Sequence, residues 1–249
     1  MSHKKTLRIR LIGTVLRLLE KKVFNPKLKR ELLKALTRSE DTSVLHDKDW
    51  IFFDVGANRG QTINLLKSIF PNSLIYAFEP DPVIFSKLER SSSKSGVKSF
   101  NVALGAAGGR FPFWVSPIDE TSTLHLPDLE SSWNRKKAAI LGLKPQDMYQ
   151  RIEVEVKTLD EIAIEHKIDH IDLLKIDVEG AELQVLHGAL KSFTNGIVLA
   201  VQFENHEDDL RPSQRLKIEE FLLEHGFQKC SQIKHAFGSF YDELWVRRT

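Results

Sequence analysis

WIFFDVGANRG, residues 50–60, is the stretch on which the fold turns. Its apolar run from Trp50 to Phe53 meets Asp54 and then a turn carrying Gly56, Asn58 and Gly60, and QTINLLKSIF follows at once with the apolar spacing of a helix. A short apolar run, a glycine-bearing turn and a helix in that order predict a buried parallel strand that feeds a nucleotide-binding turn. Each residue type has a mechanical reason there. Gly56 lets the backbone approach a ligand, Asn58 tolerates positive φ better than other non-glycine residues, and Gly60 permits close helix–strand contact.

Spacing decides which nucleotide suits the turn. A phosphate-gripping P-loop needs four residues between its glycines and then Lys-Ser/Thr. Here three residues separate Gly56 from Gly60, and Gln61 stands where the lysine belongs. The dinucleotide fingerprint needs glycine at 58 and 61, which are Asn58 and Gln61. What remains, D-x-G-x-N-x-G, resembles motif I of Rossmann-like methyltransferases that use S-adenosylmethionine, with Asn58 in place of the usual middle glycine. That resemblance implies that Asp54 and the turn backbone hold the methionine and ribose end of the cofactor.

Further blocks sharpen the resemblance. A second apolar run, SLIYAF, ends in Glu79-Pro80-Asp81, and an acidic residue at the tip of the second strand is placed to accept hydrogen bonds from ribose hydroxyls. FDVGANRG, the FEPD turn, NVALG (101–105), V-x-V-x-TLDE (154–161) and KIDVEGAE (175–182) together are similar to the FkbM family of methyltransferases. The similarity runs in ordered blocks over roughly residues 50–205. It implies an α/β Rossmann-like, doubly wound seven-stranded sheet whose last strand is antiparallel. It also implies a cofactor set of Asp54, Gly56, Ala57, Asn58, Gly60, Glu79, Pro80 and Ala103. The expected division is a basic helical extension over 1–48 and a methyltransferase domain over 49–249, with 116–150 as a variable insertion.

A chain of 249 residues suits one α/β domain with such an extension. One cysteine, Cys230, allows neither an internal disulfide nor a cysteine-built zinc site, which points to a reducing, cytoplasmic compartment. The formal net charge of +2 hides an asymmetry. Residues 1–38 hold twelve Lys/Arg against Glu20 and Glu31, a balance of +10, so the rest of the chain carries −8. Leu7, Leu11, Val15, Leu18 and Leu19 fall on one helical face among these cations, but Arg17 interrupts any run that would cross a bilayer. Two readings follow: an amphipathic helix touching anionic lipid or an acidic glycan carrier, or a helical cap packed on the domain with a solvated basic face. A nucleic acid partner is not expected, and the oligomeric state is not legible.

The expected elements are helices over 5–22 and 26–38, then strand 50–55, helix 60–69, strand 73–79, helix 81–94 and strand 97–103. After FPFWV (111–115), the stretch 116–150 is too long for an ordinary connection. It carries TSTL (121–124), Trp133, Arg135, Lys136, Lys137 and Tyr149, aromatic and basic groups that suit a polar acceptor such as a sugar. An alternating strand RIEVEVKT closes it. Helix 158–166, strand 171–177, helix 180–193, strand 196–204 and helix 211–225 follow, and FQKCSQIK with SFYDELWVRR reads as an antiparallel pair.

Catalytic candidates lie at strand ends. Asp177 closes the fourth parallel strand, and Glu204-Asn205-His206 closes the fifth, where ligands gather in open α/β sheets. O-methylation requires the acceptor hydroxyl to lose its proton as it attacks, through a general base or a divalent cation. Asp177, Glu204 and Asn205 offer oxygens that suit Mg²⁺, a layout similar to catechol O-methyltransferase. That enzyme type has a lysine three residues after its first aspartate, here Gly180, so the metal is the lesser reading. His206 is the simpler base, since its ring titrates near working pH, although a surface histidine beside Glu207-Asp208-Asp209 would look the same. Glu179 and Glu182 also suit the positive end of the following helix. Lys175 shares a strand face with Asp177 and can pair with a carboxylate. An O-methyltransferase acting on a saccharide or secondary metabolite, a nicotinamide-dependent oxidoreductase and a catalytically silent binding protein all stay open.

Overall fold

The computed structural model describes residues 25–37, 48–92, 96–116, 122–125, 129, 132–206, 212–235 and 240–248. The expected helix over 5–22 lies outside them. Along the chain come α1 (Asn25–Thr37), β1 (Ile51–Val55), α2 (Gln61–Ile69), β2 (Leu74–Phe78), α3 (Pro82–Ser91) and β3 (Val97–Phe100). Next are β4 (Ala103–Leu104), β5 (Gly109–Val115), α4 (Ser132–Leu141), a single 3₁₀ turn (Pro145–Asp147), β6 (Gln150–Lys157) and α5 (Leu159–Glu165). The chain ends with β7 (Leu173–Ile176), α6 (Glu182–His187), α7 (Leu190–Thr194), β8 (Ala200–His206), α8 (Pro212–Glu224), β9 (Phe227–Lys234) and β10 (Phe240–Arg247).

Seven strands form one sheet in the order β3-β2-β1-β7-β8-β10-β9. Its strands run parallel except β10, which is antiparallel to both β8 and β9. The expected doubly wound sheet with an antiparallel last strand is therefore present. Strand parity divides its core in two. Phe53, Val55, Leu174, Ile176, Val201 and Phe203 pack against α5 to α8. Phe52, Leu173, Ala200 and Leu244 pack against α1 to α3. Phe53, Tyr76, Phe78 and Phe100 lie ring against ring on the first face, with neighbouring centroids 4.9–6.1 Å apart.

α1 is part of this body. Leu28 and Leu32 are buried in the second face, and Glu31 accepts a hydrogen bond from Ser231 of β9 at 3.2 Å. The helix starts at Asn25-Pro26, as proline's fixed φ favours.

Two expected elements are corrected. The strand predicted over 97–103 stops at Phe100, because Asn101 turns the chain. Its Nδ2 donates to the carbonyls of Glu79 and Pro80 at 2.8 and 3.1 Å. Ala103 and Leu104 then join a separate three-stranded sheet, β4-β6-β5. The helix predicted over 180–193 is two short ones, α6 and α7. Gly188 sits against Gly105, whose carbonyl oxygen would lie 2.0 Å from an added Cβ. Asp160 caps the restart by accepting from the backbone N–H groups of Lys191 and Ser192, each at 2.9 Å. The TLDE block thus has structural work, since Thr158 and Glu161 form a capping box for α5. Within 116–150, α4 and the 3₁₀ turn bury Ala138 and Met148 in a small core of their own.

Candidate active site

The turn after β1 is built as its residue types suggest. Gly56, Asn58 and Gly60 have φ of 81°, 47° and 84°. The N–H groups of Gly56 and Ala57 both donate to the Phe78 carbonyl, at 3.0 and 2.9 Å. Gly56 is needed for more than its φ, because an added Cβ would lie 1.9 Å from the Asp177 carbonyl oxygen. The close approach at Gly56 is therefore to the end of β7. That at Gly60 is to α3, through Leu88 and Ser91.

Glu79 pins this turn to the tip of β2. One carboxylate oxygen accepts from Asn58 N–H at 3.0 Å and the other from Asp81 N–H at 2.9 Å. Burial pushes its carboxyl up to about 7 against the pull of those two bonds. Asp81, beyond Pro80, is the N-cap of α3 and accepts from Val83 and Ile84. Ala103 lies apart from the turn's residues in this respect: its side chain is buried with Phe113, Val154 and Val156 in the second sheet.

The face of the main sheet that carries α1 to α3 changes character halfway along its strands. Phe52, Leu173, Ala200 and Leu244 are apolar, but the following same-face positions are Asp54, Lys175, Gln202 and Asp242 (β10 runs in reverse). Asp54 pairs in register with Lys175, and Lys175 with Gln202. The next row brings Glu204 opposite Asp242, with Asp177 at the end of β7. Asp54 is wholly buried. Lys175 Nζ lies 3.3 Å from its Oδ1 and 3.1 Å from Asp177 Oδ2. Burial pulls the ammonium down, but Asp177 and Asp54 outweigh it, with Asp242 adding to them, and hold Lys175 above its ordinary value. Burial raises the Asp54 carboxyl, and Lys175 offsets that only in part. The pairing expected of Lys175 is present, with two carboxylates rather than one.

Further groups join at the carboxyl edge. Asp177, Glu179 and Glu204 each present an oxygen within 4.8 Å of the others. Glu179 is not in the helix, which starts at Glu182; it holds a left-handed φ of 52° in the turn before it. His235, just past β9, was not singled out from the sequence. Its Nε2 lies 3.1 Å from Asp242 Oδ2 and 3.9 Å from Glu204 Oε2. No local pattern signals it, since a lone histidine after an alternating strand gains its partners only when β9 and β10 pair. Asn205 is buried at the end of β8. The His206 backbone ends β8 opposite Phe240, while its side chain lies outside the described residues, as do Thr121 and the side chains of Trp133 and Lys137. Tyr149 reaches the edge. Its hydroxyl donates to Asn134 at 3.1 Å, and burial together with Glu179 raises its phenol.

The donor set fits an adenosyl sulfonium. Glu79 uses one acceptor site on each oxygen for the backbone, and a carboxylate oxygen has a second that a ribose hydroxyl would fit. Neither oxygen of buried Asp54 accepts a well-directed hydrogen bond among the described residues. Carboxylates at 54, 79 and 177 outnumber the one ammonium between them, Lys175, a balance that favours a single positive charge and opposes a pyrophosphate.

Comparison with known proteins agrees. The Methyltransferase FkbM domain matches residues 54–229. Methyltransferase sdnD of Sordaria araneosa is 32% identical over 192 residues, 70% of this chain and 72% of its own. The 31-O-demethyl-FK506 methyltransferase FkbM of Streptomyces tacrolimicus is 28% identical over 80% of this chain and 81% of its own. The METTL16 methyltransferase domain shares the fold, with a TM-score of 0.50 at 9% identity over 89% of this chain and 67% of that one. On the motif blocks, the strand order and this match over most of the domain, the chain belongs to the FkbM family of S-adenosylmethionine-dependent methyltransferases.

Proposed function

We propose that the protein O-methylates a hydroxyl of a saccharide or secondary metabolite. The observation that carries this reading is the row Asp177, Glu204 and Asp242 with His235, set at the strand ends beside the turn that Glu79 holds. S-adenosylmethionine, when bound, supplies an electrophilic methyl group on a sulfonium. The turn backbone from Gly56 to Gly60 and the carboxylate of Glu79 hold its nucleoside end, and Asp54 and Asp177 favour its positive charge.

The acceptor's proton has to leave as its oxygen attacks. The Glu204 carboxylate takes that proton, and His235, whose Nε2–H Asp242 accepts, stands beside it and positions it. Asp177 and Glu179 accept hydrogen bonds from neighbouring hydroxyls of a polyol, and Tyr149 borders the same space. The name of the Streptomyces relative, a demethyl-compound O-methylating enzyme, points the same way. Fold alone would not.

Base chemistry is favoured over a divalent cation at Asp177, Glu179 and Glu204, because the Lys175 ammonium already lies 3.1 Å from Asp177. Transfer of tritiated methyl from S-adenosylmethionine to a panel of polyol acceptors tests the reading. Ether-linked label that survives EDTA supports it. Label found only on nitrogen or carbon, or lost with EDTA and restored by Mg²⁺, contradicts the acceptor class or the base.

A further inference from the structure

The packing of α1 separates two properties that its sequence mixes. Its apolar side is spent inside the protein, with Leu28 and Leu32 buried against the sheet and α2. Its other side is cationic. Lys27, Arg30 and Lys34 stand at i, i+3 and i+7, one stripe about 10 Å long, and all three are exposed, as is Lys29. Glu31, the helix's one acid, offsets part of this charge. It pairs with Arg30 at 3.1 Å and is tied back to β9 through Ser231. Among the described residues no ion pair engages Lys27, Lys29 or Lys34.

This face is continuous in sequence with seven more Lys/Arg among residues 1–24, interleaved with Leu7, Leu11, Val15, Leu18 and Leu19 at helical spacing. The first 38 residues carry +10 and the remainder −8. The N-terminal stretch and the rest of the chain thus carry opposite net charge, so a negatively charged plane attracts the first and repels the second. Nucleic acid would satisfy the cations but has no use for the leucine row. A bilayer surface with anionic headgroups satisfies both.

We propose that the outward face of α1, led by Lys27, Arg30 and Lys34, docks the enzyme on an anionic lipid surface. Because the apolar side of α1 is already buried, this helix contributes charge and not insertion. The contact it makes is therefore screened by salt, whereas any contribution from the leucine row is not. Among the described residues no helix is long and apolar enough to cross a membrane.

Co-sedimentation of the full chain with phosphatidylglycerol–phosphatidylcholine vesicles, and with phosphatidylcholine alone, tests this. The wild type is expected to pellet with the anionic vesicles only. K27E/R30E/K34E, with an unchanged melting temperature, is expected to lower the partition coefficient by roughly tenfold or more. Salt at about 0.5 M is expected to lower that of the wild type toward the variant's. A second variant, L11D/V15D, reads the leucine row separately. Equal pelleting with both vesicle types, or a triple variant that partitions like the wild type while folded, overturns the proposal. So does tighter binding to a fluorescent duplex DNA than to the vesicles, which assigns the face to nucleic acid instead.

Discussion

Glu79 shows how one residue ties a motif to a fold. Its two oxygens join the turn after β1 to the tip of β2, at the cost of burying a carboxylate. The folded carboxyl is raised to about 7 from 4.5, so the folded state binds the extra proton between those values. The stabilisation this brings is full below about pH 4.5 and is lost as pH rises through 7, on the order of 3 kcal/mol in total. Glu79→Gln should remove that slope. Urea melts at pH 5 and pH 7.5 should show the wild type losing stability relative to the variant as pH rises, and a constant difference would contradict it. His235 and Asp242 give a second residue-scale expectation. His235→Gln and Asp242→Asn should lower kcat by roughly a hundredfold or more while S-adenosylmethionine affinity stays within about twofold. Asp54, Gly56, Asn58 and Glu79 were legible because each lies within a few residues of the strand it ends. His235 was not, because its partners come from β8 and β10.

At the scale of elements, the sequence pattern found almost every strand and helix and erred where tertiary contacts cut one short. Periodicity alone runs straight through Asn101 and Gly188. What stops the strand is a side chain bonded to the β2 tip. What interrupts the helix is Asp160, whose N–H donates to the Gly188 carbonyl while its carboxylate accepts from the N–H groups of Lys191 and Ser192. The Gly105 carbonyl, 2.0 Å from where a Cβ would be, requires glycine at 188. Gly188→Ala should therefore cost about 3 kcal/mol or more, since backbone faces backbone and neither yields cheaply. Gly60→Ala meets only side-chain atoms at 3.3–3.5 Å and carries a strained φ of 84°, for about 1 kcal/mol. Denaturant midpoints at a common slope would rank the two, and a reversed order would refute the packing argument. Parity was legible for Lys175, and the structure extends it: the same face turns from apolar to polar at Asp54, Lys175 and Gln202, and one row further along, at Asp242, on β10.

For the whole molecule, the candidate site draws on residues from Asp54 to Asp242, so no single segment could announce it. The ordered blocks announced the family, and the family match spans residues 54–229. The acceptor was not legible for a physical reason. The groups proposed to border it, Tyr149, Glu179 and His235, come from a variable insertion, a left-handed turn and a hairpin end, none bound by a repeating pattern. We propose that the Asp54 turn and Glu79 receive an adenosyl sulfonium and not a dinucleotide. Calorimetric titration of the full chain with S-adenosylmethionine, S-adenosylhomocysteine and NAD tests it directly. Both methionine nucleosides should bind, Glu79→Ala should weaken them by roughly tenfold or more, and NAD should produce no saturable heat. A preference for NAD, or no heat from either methionine nucleoside, would contradict it.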